Sequence, residues 1–449
     1  MSQAHKGSKL INTGQVKRIG EYTSFLAHYD FTENDVLKGI SPLGPPVATL
    51  HPQEGKFGGG IAVEEETINI VYDGNMQMYG RGYSPGWDVT LNGDIELYNW
   101  FCYGGWLGSA SKGYHAHANL DKFGYPVLEF KDMNSSIGEK HRWMGATQFI
   151  ASNVADKGWV DGVKVTVSMD MMVDNVDKGI DFGLQHTNSE GVDGMFDCES
   201  GTLFCSQPYK WERISATFTI NVANGNWKPD SSCTLYIYGH FSRNDAEGTA
   251  WIKNVQIENK EFATSFTPTS RNLGVLQYPA DSINPLYGTI NLWYKPSYTS
   301  LPISTTTSPK IISVGELNGN FSFFLIQLPT YLRLQVRGSG MTTTTQIRTT
   351  SVMTGWTMLT ITWNNGIFKI YVNGVIAATS NNTFANIFTG PISGNVISVG
   401  GDGLNAHKPC NGIIDELRID TIDMSDDDIL SWYLAGTPFY PRGVYKIAY

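Results

Sequence analysis

Charge is scarce in this chain: only 16% of its 449 residues are Asp, Glu, Lys or Arg, and their balance is negative, formally −10. A shortage of cations excludes an electrostatic grip on nucleic acid or on an anionic bilayer, and suits neutral polar ligands or another protein surface. No apolar run reaches the length of a membrane span, and the opening MSQAHKGSKLINTGQVKRIGE lacks the apolar core of a signal peptide. Membrane insertion is therefore not expected. Cysteine is sparse too. Cys102, Cys198, Cys205, Cys233 and Cys410 are odd in number, widely spaced and without a CxxC pair, which argues against a zinc or thioredoxin-like site. Cys198 and Cys205 could pair across a loop, but the composition fits a reducing cytoplasm in which no disulfide is needed. No phosphate-binding P-loop occurs.

What is present is apolar, aromatic and rich in glycine. Apolar residues make up 41%, with 48 Gly and 22 Tyr, the profile of a loop-rich β protein of about two or three domains. The stretch GWTMLTITWNNGIFKIYVNGVIAATS (355–380) states the architecture most clearly. Two β-branched and aromatic runs flank Asn364-Asn365-Gly366, and Asn373-Gly374 begins the next turn, so three antiparallel strands are expected. So apolar a sheet needs a second sheet across its inner face.

The two ends of the chain each look incomplete. Phe25 to Phe31 and Ile61 to Val63 are candidate strands without enough partners, and so is NGIIDELRI (411–419). A short helix should follow it, with Ser425 as N-cap, Asp426 to Asp428 in its first turn and Gly436 after its end. Taken with GKFGGGIAVEE, TINLWYKP (289–296) and ISVGG (397–401), these segments come in the order of a laminin-G-like jelly roll of the concanavalin A-like lectins, which the chain resembles. That resemblance implies a first strand lying beside the last.

Between the ends, VKVTVSMDMMV (163–173), WERISATFTI (211–220), CTLYIYGHF (233–241) and AWIKNVQIE (250–258) alternate with period two and suggest a second two-sheet sandwich. Their order resembles carbohydrate-binding modules of the family 4/9 type, which are also jelly rolls. The expected fold class is all-β: two antiparallel sandwiches, the second inserted in the first, with a short C-terminal helix. Residues 1–21 would be an arm, 22–70 with 266–440 the outer jelly roll, 71–265 the insert and 441–449 a tail. A jelly roll interrupted in this way resembles bacteriophage virion proteins of the tail or fibre class.

A sugar site wants exposed rings with amide or carboxylate groups at the rim. Residues 72–114 hold ten aromatics, about twice the density expected from the 12% chain average, which points to this stretch. Trp100, Tyr103 and Trp106 lie among glycines in WFCYGGWLG, so we take them as the expected ligand platform, with Asn99 and Asn119 as polar partners and Trp143 and Trp159 behind them. For each ring the alternative is burial in the sandwich, and Trp87, Trp293, Trp356 and Trp363 are expected there. A second candidate is the loop GGDGLNAHKPCNG (400–412), from which Asp402, Asn405 and His407 should project. His115 and His117 have HxH spacing but no third ligand nearby, so no metal site is assigned. No cofactor is expected. The module resemblance leaves a structural calcium open, but the strand position that would supply Asp holds Asn254.

Hydrolases of the concanavalin A-like fold typically carry an ExDxxE strand, and none occurs here; Glu64, Glu65 and Glu66 are consecutive and alternate faces. The expectation is a non-enzymatic protein of the virion surface, assembled in the host cytoplasm as a homo-oligomer. Its partners would be host cell-surface polysaccharide and other virion proteins. Two alternatives remain: a purely structural decoration, collar or tail component, and a bacterial surface glycan binder.

Overall fold

The computed structural model describes residues 23–28, 35–37, 49–51, 55–76, 79–80, 94–97, 100–103, 114–119, 123–132, 145–198, 201–221, 228–243, 248–274, 276–298, 309–315, 321–328, 330–338, 345–350, 353–380, 392–402 and 409–436. The chain divides into two compact units, 1–66 with 272–449, and 67–271 between them.

In the first unit the meander forms because its turns are chemically cheap. Strands Thr357–Asn364, Ile367–Val372 and Val375–Thr379 are joined by Asn365-Gly366 and Asn373-Gly374, all four at positive φ, a backbone region that Gly and Asn enter at little cost. The meander ends a larger sheet that runs Asp35–Leu37, Thr23–His28, Gly412–Asp420, Tyr287–Pro296 and then the three meander strands, with Gly60–Val63 and Thr49–His51 attached beside Gly412–Asp420. Phe25 lies opposite Ile419 and Ala27 opposite Leu417, so the earliest described strand does lie beside the last. A facing sheet is built from Gln277–Pro279, Val396–Val399, Lys310–Val314, Phe321–Leu328, Tyr331–Gly338 and Thr345–Thr349. Alternate residues of both sheets, among them Leu292, Leu359, Ile361, Trp363, Phe323 and Leu325, form one core.

Helix Asp426–Ala435 closes the opposite face of the larger sheet. Ser425 accepts the Asp428 N–H at its start, and Gly436 at φ 56 ends it. Ile429 and Trp432 pack on Trp293, Met358 and Tyr371, while Tyr371 Oη donates to Asp426 at 2.7 Å. Beneath the helix, Arg418 donates to Asp420 at 2.7 Å with both side chains fully buried, and Trp432 covers the guanidinium at 4.1 Å.

The second unit begins and ends with two strands that pair with each other, Thr67–Ile68 with Ser270–Arg271. Residues 67–70 and 266–271, expected from the sequence on the outer jelly-roll side, therefore lie in the inserted unit. Asn69 fixes this neck: its amide N–H groups reach the Val255 and Thr267 carbonyls, and its oxygen accepts the Ile257 N–H. One sheet runs Asp197–Cys198, Glu212–Thr219, Lys164–Val173, Thr249–Glu258, Val127–Asp132, Tyr114–Asn119, Asp94–Leu97 and Tyr79–Gly80. The other runs Asp193–Met195, Lys178–Thr187, Ser232–Ser242, Gly145–Ala151 and Phe101–Tyr103, with Leu203–Phe204 also on Lys178–Thr187. Their core joins Val165, Val167 and Ile252 to Ile180, Leu184, Leu235 and Ile237. Part of the outer face of the first sheet is covered by the returning segment. Arg213 donates to the Thr264 carbonyl and pairs with Asp170 at 3.0 Å, while buried Glu258 accepts from Thr67, the Thr264 N–H and the Thr264 hydroxyl. Cys205 is a free buried thiol whose sulfur contacts the Met171 carbonyl, so it forms no disulfide with Cys198.

Candidate functional site

The expected aromatic platform does not stand as the sequence suggested. Trp100 is only 7% exposed and belongs to the core of the inserted unit, its indole N–H donating to the Asp73 carbonyl at 3.3 Å. Trp159 is fully buried, donating to Asn259 Oδ1 at 2.7 Å and meeting Phe196 edge to face. Both rings are apolar filling with a satisfied N–H, which is how a sandwich uses tryptophan. Tyr103 and Asn119 lie in the strands Phe101–Tyr103 and Tyr114–Asn119. Asn99, Trp106, Trp143, Asn405 and His407 lie outside the described residues, as does Trp87. Asp402 does not project. Its side chain is 6% exposed and pairs with equally buried Lys310 at 2.7 Å, with Lys310 Nζ 4.4 Å from the Phe324 ring.

An open aromatic face exists elsewhere, on the outer side of the sheet that contains Tyr103. Strand Ser232–Ser242 turns Leu235 and Ile237 into the core, so Thr234, Tyr236 and Tyr238 face outward. The neighbouring strand does the same with Phe182 and Leu184 inside and Asp181, Gly183 and Gln185 outside. Register then assembles rows across the sheet. Asp181, Tyr238, Gly145 and Tyr103 stand in one; Gly183, Tyr236, Thr147 and Phe101 in the next; Gln185, Thr234 and Phe149 in the third. Glycines flank both tyrosines, at Gly145 and Gly183, so no neighbouring-strand side chain covers the rings from those positions. Tyr236 and Tyr238 stack with centroids 5.7 Å apart and planes 14° from parallel. Phe149 is 62% exposed, and Tyr72, itself exposed, is held beside this strand by two backbone hydrogen bonds to the Gln148 amide.

The electrostatics show a face that is partly dry but not sealed. Burial, then the neighbouring Tyr236 and Asp181, push the Tyr238 hydroxyl up to about 12. Burial and Asp193 raise Tyr236 as well. Asp181 is raised by burial, against the pull of the Phe182 N–H that its carboxylate accepts at 2.8 Å. Flat rings, a carboxylate, an amide and hydroxyls converge here, which is what a site for sugar rings requires.

Acidic side chains of GKFGGGIAVEE and NGIIDELRI have structural work. Asp415 accepts the Phe57 N–H at 3.0 Å, Glu65 exchanges hydrogen bonds with Asn411, and Glu64 is 2% exposed. Glu416 is buried at a bulge with φ 54. Among the described residues no group of three or more His, Cys, Asp or Glu gathers to hold a metal ion. Asn254 instead donates to Asp170 at 2.7 Å, and the other oxygen of Asp170 is taken by Arg213, so the donor set there does not fit a calcium ion. No helix among the described residues is long and apolar enough to cross a membrane.

Residues 273–430 match the family described as the concanavalin A-like lectin/glucanases superfamily, of laminin-G type, and they carry its fold. No curated protein matches the sequence. Among solved structures, the binding domain of botulinum neurotoxin DC in complex with SialylT is 16% identical, with a TM-score of 0.29, over 39% of this chain and 42% of that one. The same domain in complex with rat synaptotagmin II gives 18% and 0.28. Domain 4 of AbnA, a GH43 extracellular arabinanase from Geobacillus stearothermophilus in complex with arabinotriose, gives 21% and 0.27 over 38% of this chain and 79% of that one. The chain thus spans less than half of the neurotoxin chain it resembles, and scores this low are no basis for function.

Proposed function

We propose that this chain is a non-enzymatic carbohydrate-binding protein of a bacteriophage virion surface, and that the open tyrosine face of its inserted unit contacts glycans of the host envelope. The observation that supports this most directly is the stacked Tyr236–Tyr238 pair, half-exposed on a sheet face with Asp181, Gln185 and Thr234 around it. The lectin-type fold of residues 273–430 fits the same role. The phage assignment rests on the resemblance of the interrupted jelly roll to tail and fibre proteins. Single contacts of this kind are weak, roughly −4 to −8 kcal/mol for millimolar to micromolar dissociation constants. Many copies on a particle, or a homo-oligomer, would raise them by avidity.

The test pairs calorimetric melting with binding to immobilised envelope polysaccharide, for Tyr236→Ala and Tyr238→Ala. Native melting with lost retention is the expected outcome. Full retention by both variants would sink the assignment of this face. A purely structural virion role is the second reading, favoured by Val375, Ile376 and Leu434, which are 61%, 41% and 71% exposed on the outer jelly roll. In that case the polysaccharide would not retain even the unmodified protein.

A further inference from the structure

The tyrosine face has a charge pattern as well as a shape. Asp181 shares the row of Tyr238, and Asp193 stands opposite Thr187 at the other end of the same strand, roughly 20 Å away at the rise of an extended chain. Between these rows the described outward positions are Gly183, Gln185, Ser232, Thr234, Tyr236, Thr147 and Phe149, with no lysine or arginine among them. Arg243 lies beyond the Asp181 row, 3.8 Å over the ring of Phe204, which pairs with Gly179. Each carboxylate is oriented: Asp181 accepts the Phe182 N–H, and Asp193 accepts the Thr187 hydroxyl at 2.6 Å. A carboxylate so held has lone pairs left to accept from sugar hydroxyls, which are good donors. An anionic substituent brought to either end of this face would meet a negative charge, with no lysine or arginine among the described outward positions between the two carboxylates. Exclusion of a competitor by like charge is a common source of specificity.

From this we propose that the face selects uncharged glycan chains and rejects those bearing carboxylates or phosphates, with Asp181 and Asp193 as the specificity-determining residues. The inference rests on the glycan-binding reading of this face and names its ligand class.

The full-length protein is titrated calorimetrically with a panel of neutral hexose oligosaccharides and with oligouronates of matching length. Neutral chains should bind the unmodified protein, and oligouronates should bind at least tenfold more weakly. Asp181→Asn keeps the oxygen that accepts the Phe182 N–H while removing the charge. Combined with Asp193→Asn, it should shrink the preference severalfold without moving the melting temperature. Oligouronate binding as tight as neutral binding, lost in Tyr238→Ala, would overturn the charge inference and leave the glycan-binding reading intact. An unchanged preference in the double variant would also overturn it. Silence across the whole panel would remove both.

Discussion

The two units use one architecture and finish it differently. In the outer jelly roll, a helix covers the face of the larger sheet that points away from the core, so Arg418, Asp420, Asn291 and Thr360 are all buried beneath or beside it. In the inserted unit, a returning segment tied by Arg213 and Glu258 covers part of one outer face, while Tyr236, Tyr238 and Phe149 stay accessible on the other. A two-sheet sandwich always has two outer faces. What distinguishes these is whether the chain spends a later segment on sealing them. An unsealed face with rings, flanking glycines and a carboxylate is where a ligand can enter.

The sharpest way to break this comparison is to attack the seals. Arg418→Met should cost about 3–5 kcal/mol, because Asp420 would remain buried without its guanidinium partner. Arg213→Ala removes a pair whose side chains are still 14% and 21% exposed, so about 1.5–3 kcal/mol is expected from the lost hydrogen bonds to a charged group. Denaturant titration of the two variants checks both size and order. Equal losses would mean that the helix and the returning segment are equivalent covers.

Trp100→Ala sharpens the other half of the comparison. As a core ring it should cost about 3–5 kcal/mol and lower melting of the inserted unit, whereas Tyr238→Ala should leave melting nearly unchanged. A Trp100 variant with native melting and lost glycan binding would return that ring to the site.

That tryptophan also marks the limit of what the sequence says. The fold was legible where local chemistry decides it: Asn-Gly at the two meander turns, Ser425 and Gly436 at the helix ends, and period two in the four central strands of the insert. The candidate site was not, because density of aromatics in 72–114 outweighed phase. In CTLYIYGHF both alternating sets are apolar or aromatic, Leu235 and Ile237 against Tyr236 and Tyr238, so the run alone does not say which set is inside. Its neighbour does: in DFGLQHT (181–187) the polar and glycine set is Asp181, Gly183 and Gln185. Register with that strand is what puts the tyrosines outside. Trp100 is buried through a partner 27 residues away, the Asp73 carbonyl, which no local pattern contains. Lys310 and Asp402 likewise meet across 92 residues.

A smaller effect separates the units by pH. His186 is 1% exposed in the inserted unit, and burial holds its pKa below the usual 6.5 against the opposing pull of Asp193. The unfolded chain then takes up a proton that the folded one resists. Stability should be unaffected above the unfolded value near 6.5, and should fall as pH drops below it until the folded pKa is reached. The slope cannot exceed about 1.4 kcal/mol per pH unit for one group. His186→Gln should flatten the pH dependence of melting below about pH 6.5. Unchanged dependence would show that other groups dominate it.

The smallest effect tests whether the two cores are energetically separate at all. Each unit has its own large core between its two sheets, so calorimetry should show two transitions rather than one. Ser425→Ala removes the side chain that accepts the Asp428 N–H at 3.2 Å at the start of the sealing helix. The substitution should cost about 1 kcal/mol, the usual loss for an N-cap. Because Ile429 and Trp432 of the helix pack on the outer jelly roll, that loss should appear in one transition and leave the other at its original temperature. Glycan binding at the tyrosine face should also stay at its original affinity. Movement of both transitions by similar amounts would mean that the units unfold together, and the contrast between a sealed and an open sandwich would then describe one cooperative body.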